Sequence, residues 1–264
     1  MKYPIQKWKR FKKRRKKRRI DKPPRNHRVA VPSFFTLMNL FSGFLAIISI
    51  SEGRLYYAAW LIVAAGLFDS LDGLMARLSN STSQFGIELD SIADVVSFGV
   101  APGFLLYYLG LSELHFLGLL LSALPPLCGA VRLARFNVEA TETRGEIFKG
   151  LPTPAQALMI AAFYLTFYNR LFVFNNFESG ITAVLIPLII LLSFLMVSTI
   201  PFDKVPGFDR ATLRKYKGRI VLFLLYAVLI IIFHEIGLMI VFSLYILKGL
   251  LMGAVQLWDE AFGA

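Results

Sequence analysis

The hydrophobic pattern divides the chain into a polar start and a series of long apolar stretches. Eight stretches are close to the ~20 residues that a helix needs to cross the hydrocarbon core of a bilayer. Inside lipid, backbone polar groups must be satisfied within the segment, so each stretch is expected to be a helix. The pattern therefore predicts an all-α, polytopic membrane bundle of about eight transmembrane helices. We place them at about 33–51, 55–78, 86–109, 115–138, 153–170, 181–200, 219–234 and 237–257.

The composition supports a membrane protein. Hydrophobic residues make up 56% of the 264 residues, and the mean hydropathy is +0.60. Soluble domains are about 45–50% apolar, so a water-soluble fold of this length has no room to bury the excess. The chain has one cysteine, Cys128, which excludes an intramolecular disulfide.

The net charge of +12 is concentrated in an N-terminal arm. Residues 1–28 hold 15 of the 29 Lys and Arg against a single acid, Asp21, so they carry +14 and the rest of the chain carries −2. We interpret residues 1–31 as a basic cytoplasmic arm, either solvated or lying on anionic lipid, where each charge gains on the order of 1 kcal/mol. Nucleic-acid binding is disfavoured, because no ordered aromatic pattern accompanies the charges.

The charged loops predict an orientation in the membrane. With the arm on the cytoplasmic side, the outer loops carry little beyond Arg54 and Arg170, which agrees with the positive-inside rule. The predicted location is therefore the cytoplasmic membrane, with the N-terminus inside and an even number of spans. The basic residues of the inner loops are Arg77, Arg144, Lys149, Lys204, Arg210, Arg214, Lys215, Lys217 and Arg219.

Four aspartates interrupt the apolar pattern within residues 69–94. Asp69 and Asp72 are three residues apart, and Asp90 and Asp94 are four apart, so each pair shares one face of a helix. At 1.5 Å per residue, all four are expected about 9–13 Å from the cytoplasmic end of their spans. Acids inside a membrane are costly and usually functional. This stretch is the candidate site.

The chemistry of these acids indicates divalent metal ions. Four carboxylates at one level repel one another unless cations join them. Ligands that are all oxygen suit Mg²⁺, Mn²⁺ or Ca²⁺ rather than zinc, and two ions would nearly neutralise the cluster and clamp a phosphoryl displacement. Gly73 and Gly86 leave room for a substrate against the backbone. Arg77, one turn beyond Gly73, is able to pair with a phosphate.

The acidic stretch resembles the signature of the CDP-alcohol phosphatidyltransferase family and fills every position of it: Asp69-x-x-Asp72-Gly73-x-x-Ala76-Arg77, eight residues, Gly86-x-x-x-Asp90-x-x-x-Asp94. Members of this family are embedded in the membrane, and they displace CMP from a CDP-linked lipid or alcohol by the hydroxyl of a second substrate. The resemblance implies that all four aspartates are metal ligands and that Asp94 is also the catalytic base. It implies a cytidine-diphosphate pocket lined by Gly73, Ala76 and Arg77, and we add Asp69, Gly86 and Ser83 to the candidates, although Ser83 could instead simply turn the chain.

Other stretches resemble the membrane-integrated phosphatidylserine synthases of this family. The resemblance covers residues 32–202, the expected catalytic core, and leaves 203–264 as a cytoplasmic loop with two further helices. It implies transfer from CDP-diacylglycerol to L-serine by a homodimer with its active site on the cytoplasmic side. The stretches are PSFFTLMNLFSGFLAI (32–47), SNSTSQFG (79–86), SFGVAPG (97–103), RLARFN (132–137), FKGLPTPA (148–155) and LMVSTIPF (195–202).

The acceptor is expected to depend on residues near the end of the fourth span. Arg132 and Arg135 are three residues apart and placed to meet the lipid phosphate and the carboxylate of serine, which arginine binds through two hydrogen bonds. Asn137 could add a further hydrogen bond. The alternative is that these arginines do not bind substrate and only extend toward the membrane surface, with Arg135 forming an ion pair with Glu139.

Several other interpretations stay open. The same chemistry could act on glycerol 3-phosphate or inositol phosphate, with Arg144 and Lys149 serving a phosphorylated acceptor, or on an archaeal CDP-lipid. A cation or proton transporter would also need acids inside the membrane, but it predicts acids distributed across the bilayer rather than gathered near one side. A structural scaffold predicts that removal of the acids leaves function intact.

Overall fold

The structure is a computed structural model that describes residues 27–79, 83–142, 148–168, 173–174, 180–202 and 217–262. Within these ranges the chain consists of helices, two short strands and short connecting turns. A π-helical turn spans Val95–Val100, and a 3₁₀ turn spans Leu111–Leu114. The elements are α1 (His27–Ser51), α2 (Leu55–Ser79), α3 (Gln84–Asp94), α4 (Ala101–Leu109), α5 (His115–Glu142), β1 (Phe148–Lys149), α6 (Thr153–Phe167), α7 (Thr182–Val197), β2 (Pro201–Phe202) and α8 (Lys217–Phe262).

Five helical stretches of the described chain are long and apolar enough to cross a membrane, whereas α6 and α7 are apolar but shorter. The predicted all-α membrane bundle fits this architecture. The predicted count of about eight spans stays a prediction, as does the division at residues 32 and 203. The five long stretches are Ser33–Ser51, Leu55–Ala76, Gln84–Leu109, Leu111–Val138 and Val228–Gln256.

The last two predicted spans, 219–234 and 237–257, both fall within α8. The backbone of α8 is non-helical at His234, with φ 46° and ψ −113°. Two helical segments therefore meet at the end of the predicted seventh span.

α1 and α2 pack against each other as a hairpin. Gly53 ends α1 with a φ of 75°, a conformation that favours glycine. Its N–H donates to the Ile50 carbonyl at 2.9 Å, and the Arg54 N–H donates to the Ser49 carbonyl at 2.8 Å. These two bonds form a Schellman motif, which satisfies the last carbonyls of the helix and starts the reversal of the chain.

α6 lies at the centre of the bundle, in contact with α2, α8 and the π-helical turn. Eleven of its 15 residues are buried, so its polar side chains are removed from both lipid and water. Before α6, β1 pairs with β2 in antiparallel register, Phe148 opposite Phe202. The Leu151 N–H also donates to the Leu195 carbonyl at 2.9 Å. These bonds tie the start of α6 to the end of α7.

Candidate active site

Three of the four aspartates come together from two helices. Asp69 lies on α2, and Asp90 and Asp94 lie on α3. Each offers one carboxylate oxygen, and these three oxygens lie within 4.8 Å of one another. Ions with oxygen ligands at about 2.0–2.6 Å can join atoms at such separations. We call Asp69, Asp90 and Asp94 the carboxylate triad.

Asp72 lies beside the triad, but its carboxylate accepts a hydrogen bond from α1. It is buried, and it is within electrostatic range of Asp69 and Asp90. The Thr36 hydroxyl on α1 donates to its Oδ2 oxygen. The four predicted ligands therefore form a triad and an adjacent fourth carboxylate that α1 holds.

α1 contributes a polar face that the sequence analysis did not single out. The Asn39 side-chain amide donates to Asp94 Oδ1 at 3.3 Å, and the Ser97 hydroxyl donates to the Asn39 carbonyl at 2.9 Å. A Cβ on Gly43 would lie 2.3 Å from Ser97 Oγ, so glycine allows α1 to approach the π-helical turn. The available signal was the spacing of Thr36, Asn39 and Gly43, which places them on one face of an apolar helix.

The proposed nucleotide-binding residues occupy different environments. Nothing lies within 4 Å of a Cβ built on Gly73, so there is open space beside this backbone. Ser83 caps α3, because its hydroxyl accepts from the Gly86 N–H at 3.0 Å. Ala76 is partly exposed on α2. The side chain of Arg77 lies outside the described part of the structure.

The polar residues of α5 make three different contacts. Arg132 is 4% exposed and within electrostatic range of Asp94. Arg135 donates to the carbonyls of Val197 at 2.9 Å and Ser198 at 3.2 Å, at the end of α7. The Asn137 amide donates to the hydroxyl of Ser91 on α3 at 2.9 Å.

Three further residues from the sequence analysis lie wholly or partly outside the described part of the structure. Arg144 itself lies outside the described residues, and so do the side chains of Glu139 and Lys149. The described contacts place Arg132 nearest to the acids, whereas Arg135 and Asn137 connect α5 to its neighbouring helices.

The triad fits a hard divalent cation. Its donors are all carboxylate oxygens, which Mg²⁺ and Mn²⁺ prefer. Asp94 is 6% exposed, so little water reaches it to screen its repulsion from Asp69 and Asp90. Arg132 supplies one positive charge nearby, and further positive charge is needed to balance three ionised carboxylates.

Comparison with known proteins gives concordant matches. Residues 29–200 match the family model described as CDP-alcohol phosphatidyltransferase. Over 202 residues the chain is 38% identical to a CDP-diacylglycerol–serine O-phosphatidyltransferase of Helicobacter pylori, covering 76% of this chain and 80% of that protein. It is 38% identical over 186 residues to an archaetidylserine synthase of Methanothermobacter thermautotrophicus, covering 70% and 74%. A CDP-diacylglycerol–serine O-phosphatidyltransferase of Bacillus subtilis is 34% identical over 172 residues, covering 65% and 89%.

Proposed function

The chain belongs to the CDP-alcohol phosphatidyltransferase family, and from this we propose that it transfers the phosphatidyl group of CDP-diacylglycerol to the hydroxyl of L-serine, with phosphatidylserine and CMP as products. The observation that carries the proposal is the carboxylate triad, whose oxygens lie within 4.8 Å at the signature positions of that family. The serine acceptor is supported by relatives at 34–38% identity that are named for this reaction.

The four aspartates would hold two divalent ions, Mg²⁺ or Mn²⁺, with Ca²⁺ as a further candidate. Asp69, Asp90 and Asp94 offer oxygens close to one another, and Asp72 would add the carboxylate oxygen that Thr36 does not bond. Ions bound there supply positive charge to the phosphate oxygens during the displacement.

Asp94 is the proposed general base. Its carboxylate is buried and is held by the amide of Asn39. In the reaction the serine hydroxyl attacks the phosphorus that carries the lipid, and Asp94 accepts the hydroxyl proton. The bond from phosphorus to the CMP oxygen breaks, and CMP leaves.

The open space beside Gly73 is the proposed position of the cytidine diphosphate. Its lining would comprise Asp69, Gly73, Ala76, Arg77, Ser83 and Gly86. Arg132 would bind the lipid phosphate or the serine carboxylate. Arg135 and Asn137 complete the proposed set, and the donors of theirs that are already used hold α5 to α7 and α3.

The substrates indicate how the protein would be placed in the cell. CDP-diacylglycerol and the lipid product stay in the bilayer, whereas serine and CMP are soluble. We therefore propose an integral enzyme of the cytoplasmic membrane with the active site on the cytoplasmic side, acting as a homodimer. The basic residues near the predicted inner loops support this orientation.

A second candidate is the same reaction with serine as the acceptor and an archaeal CDP-lipid as the donor. It is favoured by the archaetidylserine synthase relative, which is 38% identical over 70% of this chain. The two candidates share the triad and the acceptor, and they differ in the lipid part of the donor.

One experiment separates these possibilities. The purified protein receives Mg²⁺ or Mn²⁺ with CDP-diacylglycerol or CDP-archaeol, and CMP release is measured with L-serine, glycerol 3-phosphate or inositol phosphate. We expect release with serine, its loss when a chelator is added, and recovery when the ion is restored. Release only with a phosphorylated alcohol contradicts the serine acceptor, and no release under any condition contradicts the reaction.

A further inference from the structure

Two polar side chains on the first turn of α6 are buried without a partner. Gln156 is 0% exposed and Thr153 is 1% exposed. Within the described part of the chain, three of their atoms have no hydrogen-bond partner: the amide nitrogen and oxygen of Gln156 and the hydroxyl oxygen of Thr153. Buried polar groups in folded proteins are nearly always hydrogen-bonded. Three unsatisfied atoms on one helical turn therefore indicate a polar ligand that the polypeptide does not supply.

The position of this turn is fixed by two close helix contacts. A Cβ on Gly129 of α5 would lie 3.2 Å from Thr153 Cγ2, and Gly129 is one helical turn from Arg132. A Cβ on Gly66 of α2 would lie 3.1 Å from a methyl group of Leu158. Arg132 in turn lies within electrostatic range of Asp94. Through the Gly129 contact with α5, the first turn of α6 lies about one helical turn along α5 from the arginine that faces the proposed base.

Arg132 connects this turn to the acids. Its side chain is 4% exposed and lies within electrostatic range of Asp94. A buried cation, a neutral amide and a hydroxyl thus line one region beside the proposed base.

We propose that Gln156 and Thr153 form the binding pocket for the amino-acid end of the acceptor. The amide of Gln156 offers one acceptor and two donors, and the hydroxyl of Thr153 offers both functions. A zwitterionic amino alcohol needs acceptors for its ammonium and donors for its carboxylate, and these neutral groups supply both. The oxygens of Gln156 and Thr153 bind the ammonium, while Arg132 and the Gln156 nitrogen bind the carboxylate.

This pocket also accounts for selection between acceptors. A phosphorylated alcohol presents only acceptor oxygens and up to two negative charges, which cationic side chains match better than a neutral oxygen does. The acceptor oxygens of Gln156 and Thr153 would repel the oxygens of that phosphate. The inference rests on the proposed function, because it assigns a ligand within the same reaction.

The test compares matched variants by steady-state kinetics of CMP release. Thr153→Val removes the hydroxyl while keeping the shape, and Thr153→Ser keeps the hydroxyl. Gln156→Leu removes the amide, and Gln156→Glu keeps an oxygen for the ammonium but places a second carboxylate beside that of serine. Ser193→Ala on α7 is the control, because Ser193 is also buried with an unpartnered hydroxyl.

The expected result is a selective loss of serine affinity. Thr153→Val, Gln156→Leu and Gln156→Glu raise the KM for serine by about ten- to a hundredfold, the effect of losing a hydrogen bond to a charged group. The KM for CDP-diacylglycerol stays within about twofold of wild type. Thr153→Ser and Ser193→Ala retain the wild-type KM for serine.

A serine analogue provides a second readout. 3-Hydroxypropionate lacks the ammonium, so Thr153→Val should weaken inhibition by this compound less than it weakens serine binding. Variants with an unchanged KM for serine, or with KM values for both substrates raised equally, overturn the pocket and leave the reaction in place. Wild-type protein that releases no CMP with serine contradicts the proposed function and the pocket together.

Discussion

Asp94 is the member of the carboxylate triad that α1 holds directly. The Asn39 amide donates to its Oδ1 oxygen at 3.3 Å, and Arg132 on α5 lies within electrostatic range. Ser97 in turn donates to the backbone carbonyl of Asn39, which fixes that turn of α1. A general base must first be aimed at the proton that it accepts. These contacts orient the Asp94 carboxylate before any substrate binds.

Replacement of Asp94 by Asn tests its role as base. The substitution keeps the shape and a hydrogen-bonding oxygen but removes the charge, so turnover should fall by about 10²–10⁴-fold, the usual contribution of a general base, and further if metal is lost. Turnover is measured as CMP release at saturating serine and Mg²⁺, with thermal melting in detergent as the check on folding.

The control for Asp94→Asn is Glu88→Gln on the same helix. Glu88 is exposed, and it accepts a hydrogen bond from Gln84 at 2.9 Å, away from the triad. Its neutralisation should leave turnover unchanged. Near-normal turnover of folded Asp94→Asn would remove Asp94 as the base, while equal losses in both variants would point to a general effect of charge on α3.

At the scale of elements, the π-helical turn Val95–Val100 connects the acids to the core. A π-helical turn contains one residue more than an α-helical turn, so the faces of α3 and α4 are offset. The acids of α3 can then face the site while Ser97, Phe98 and Gly99 are buried in the bundle. α1 must approach this turn closely to place Asn39 beside Asp94.

Two glycine substitutions test helix packing and substrate binding independently of each other. Gly43→Ala puts a Cβ 2.3 Å from Ser97 Oγ and 2.7 Å from Ser97 Cα, so α1 must move from the π-helical turn. Overpacking of this kind costs about 1–3 kcal/mol, and both the melting temperature and turnover should fall. Gly73→Ala meets no atom within 4 Å, so its melting temperature should not fall, while the KM for CDP-diacylglycerol rises.

Each of these variants serves as the control for the other. Both replace glycine by alanine inside a helix, so the gain in helix propensity is common to the two. A lower melting temperature of Gly73→Ala, or an unchanged KM of this variant for CDP-diacylglycerol, would contradict the assignment of the open space to the nucleotide. A wild-type melting temperature in Gly43→Ala would contradict the close contact of α1.

The sequence predicted the helices better than the interruptions between them. The spans predicted at 55–78 and 86–109 correspond to Leu55–Ser79 and to the described helical stretch Gln84–Leu109. The π-helical turn within the latter was not predicted, because hydrophobic periodicity carries no sign of one extra residue. The span predicted at 181–200 corresponds to α7, which ends three residues earlier at Val197, before the polar residues Ser198 and Thr199. The span predicted at 153–170 corresponds to α6, Thr153–Phe167, and its predicted last two residues lie outside the described part of the chain.

The same limit applies to the site. The aspartates could be found because pairs of acids in an apolar helix have a helical spacing. Asn39 and Gln156 are uncharged residues in apolar helices, and their partners are distant in sequence or missing from the described chain. Their surroundings depend on how α1 and α6 pack. Sequence alone also gave no reason for Asp72 to bond to Thr36 rather than lie within the triad.

At the scale of the whole molecule, the charge is divided unevenly between the N-terminal arm and the rest of the chain. Residues 1–28 carry +14 and the remaining chain carries −2. All the residues that form the described site lie within 29–200, the range that matches the family. Residues 1–26 of the arm lie outside the described part of the chain, and we propose that the arm acts on the anionic surface of the membrane rather than in the chemistry.

Deletion of residues 2–20 tests that separation, since it removes 12 of the 15 basic residues of the arm. Turnover in neutral detergent should be unchanged, because no residue of the proposed mechanism is lost. Association with anionic lipid in mixed vesicles should weaken, and the difference from wild type should shrink as salt rises, because surface charges are screened within about 10 Å at 0.1 M salt. An arm of unchanged length with those 12 residues replaced by Gln distinguishes charge from length and should behave like the deletion. Loss of intrinsic turnover in detergent by either variant would contradict a role limited to the membrane surface and would place the arm within the catalytic mechanism.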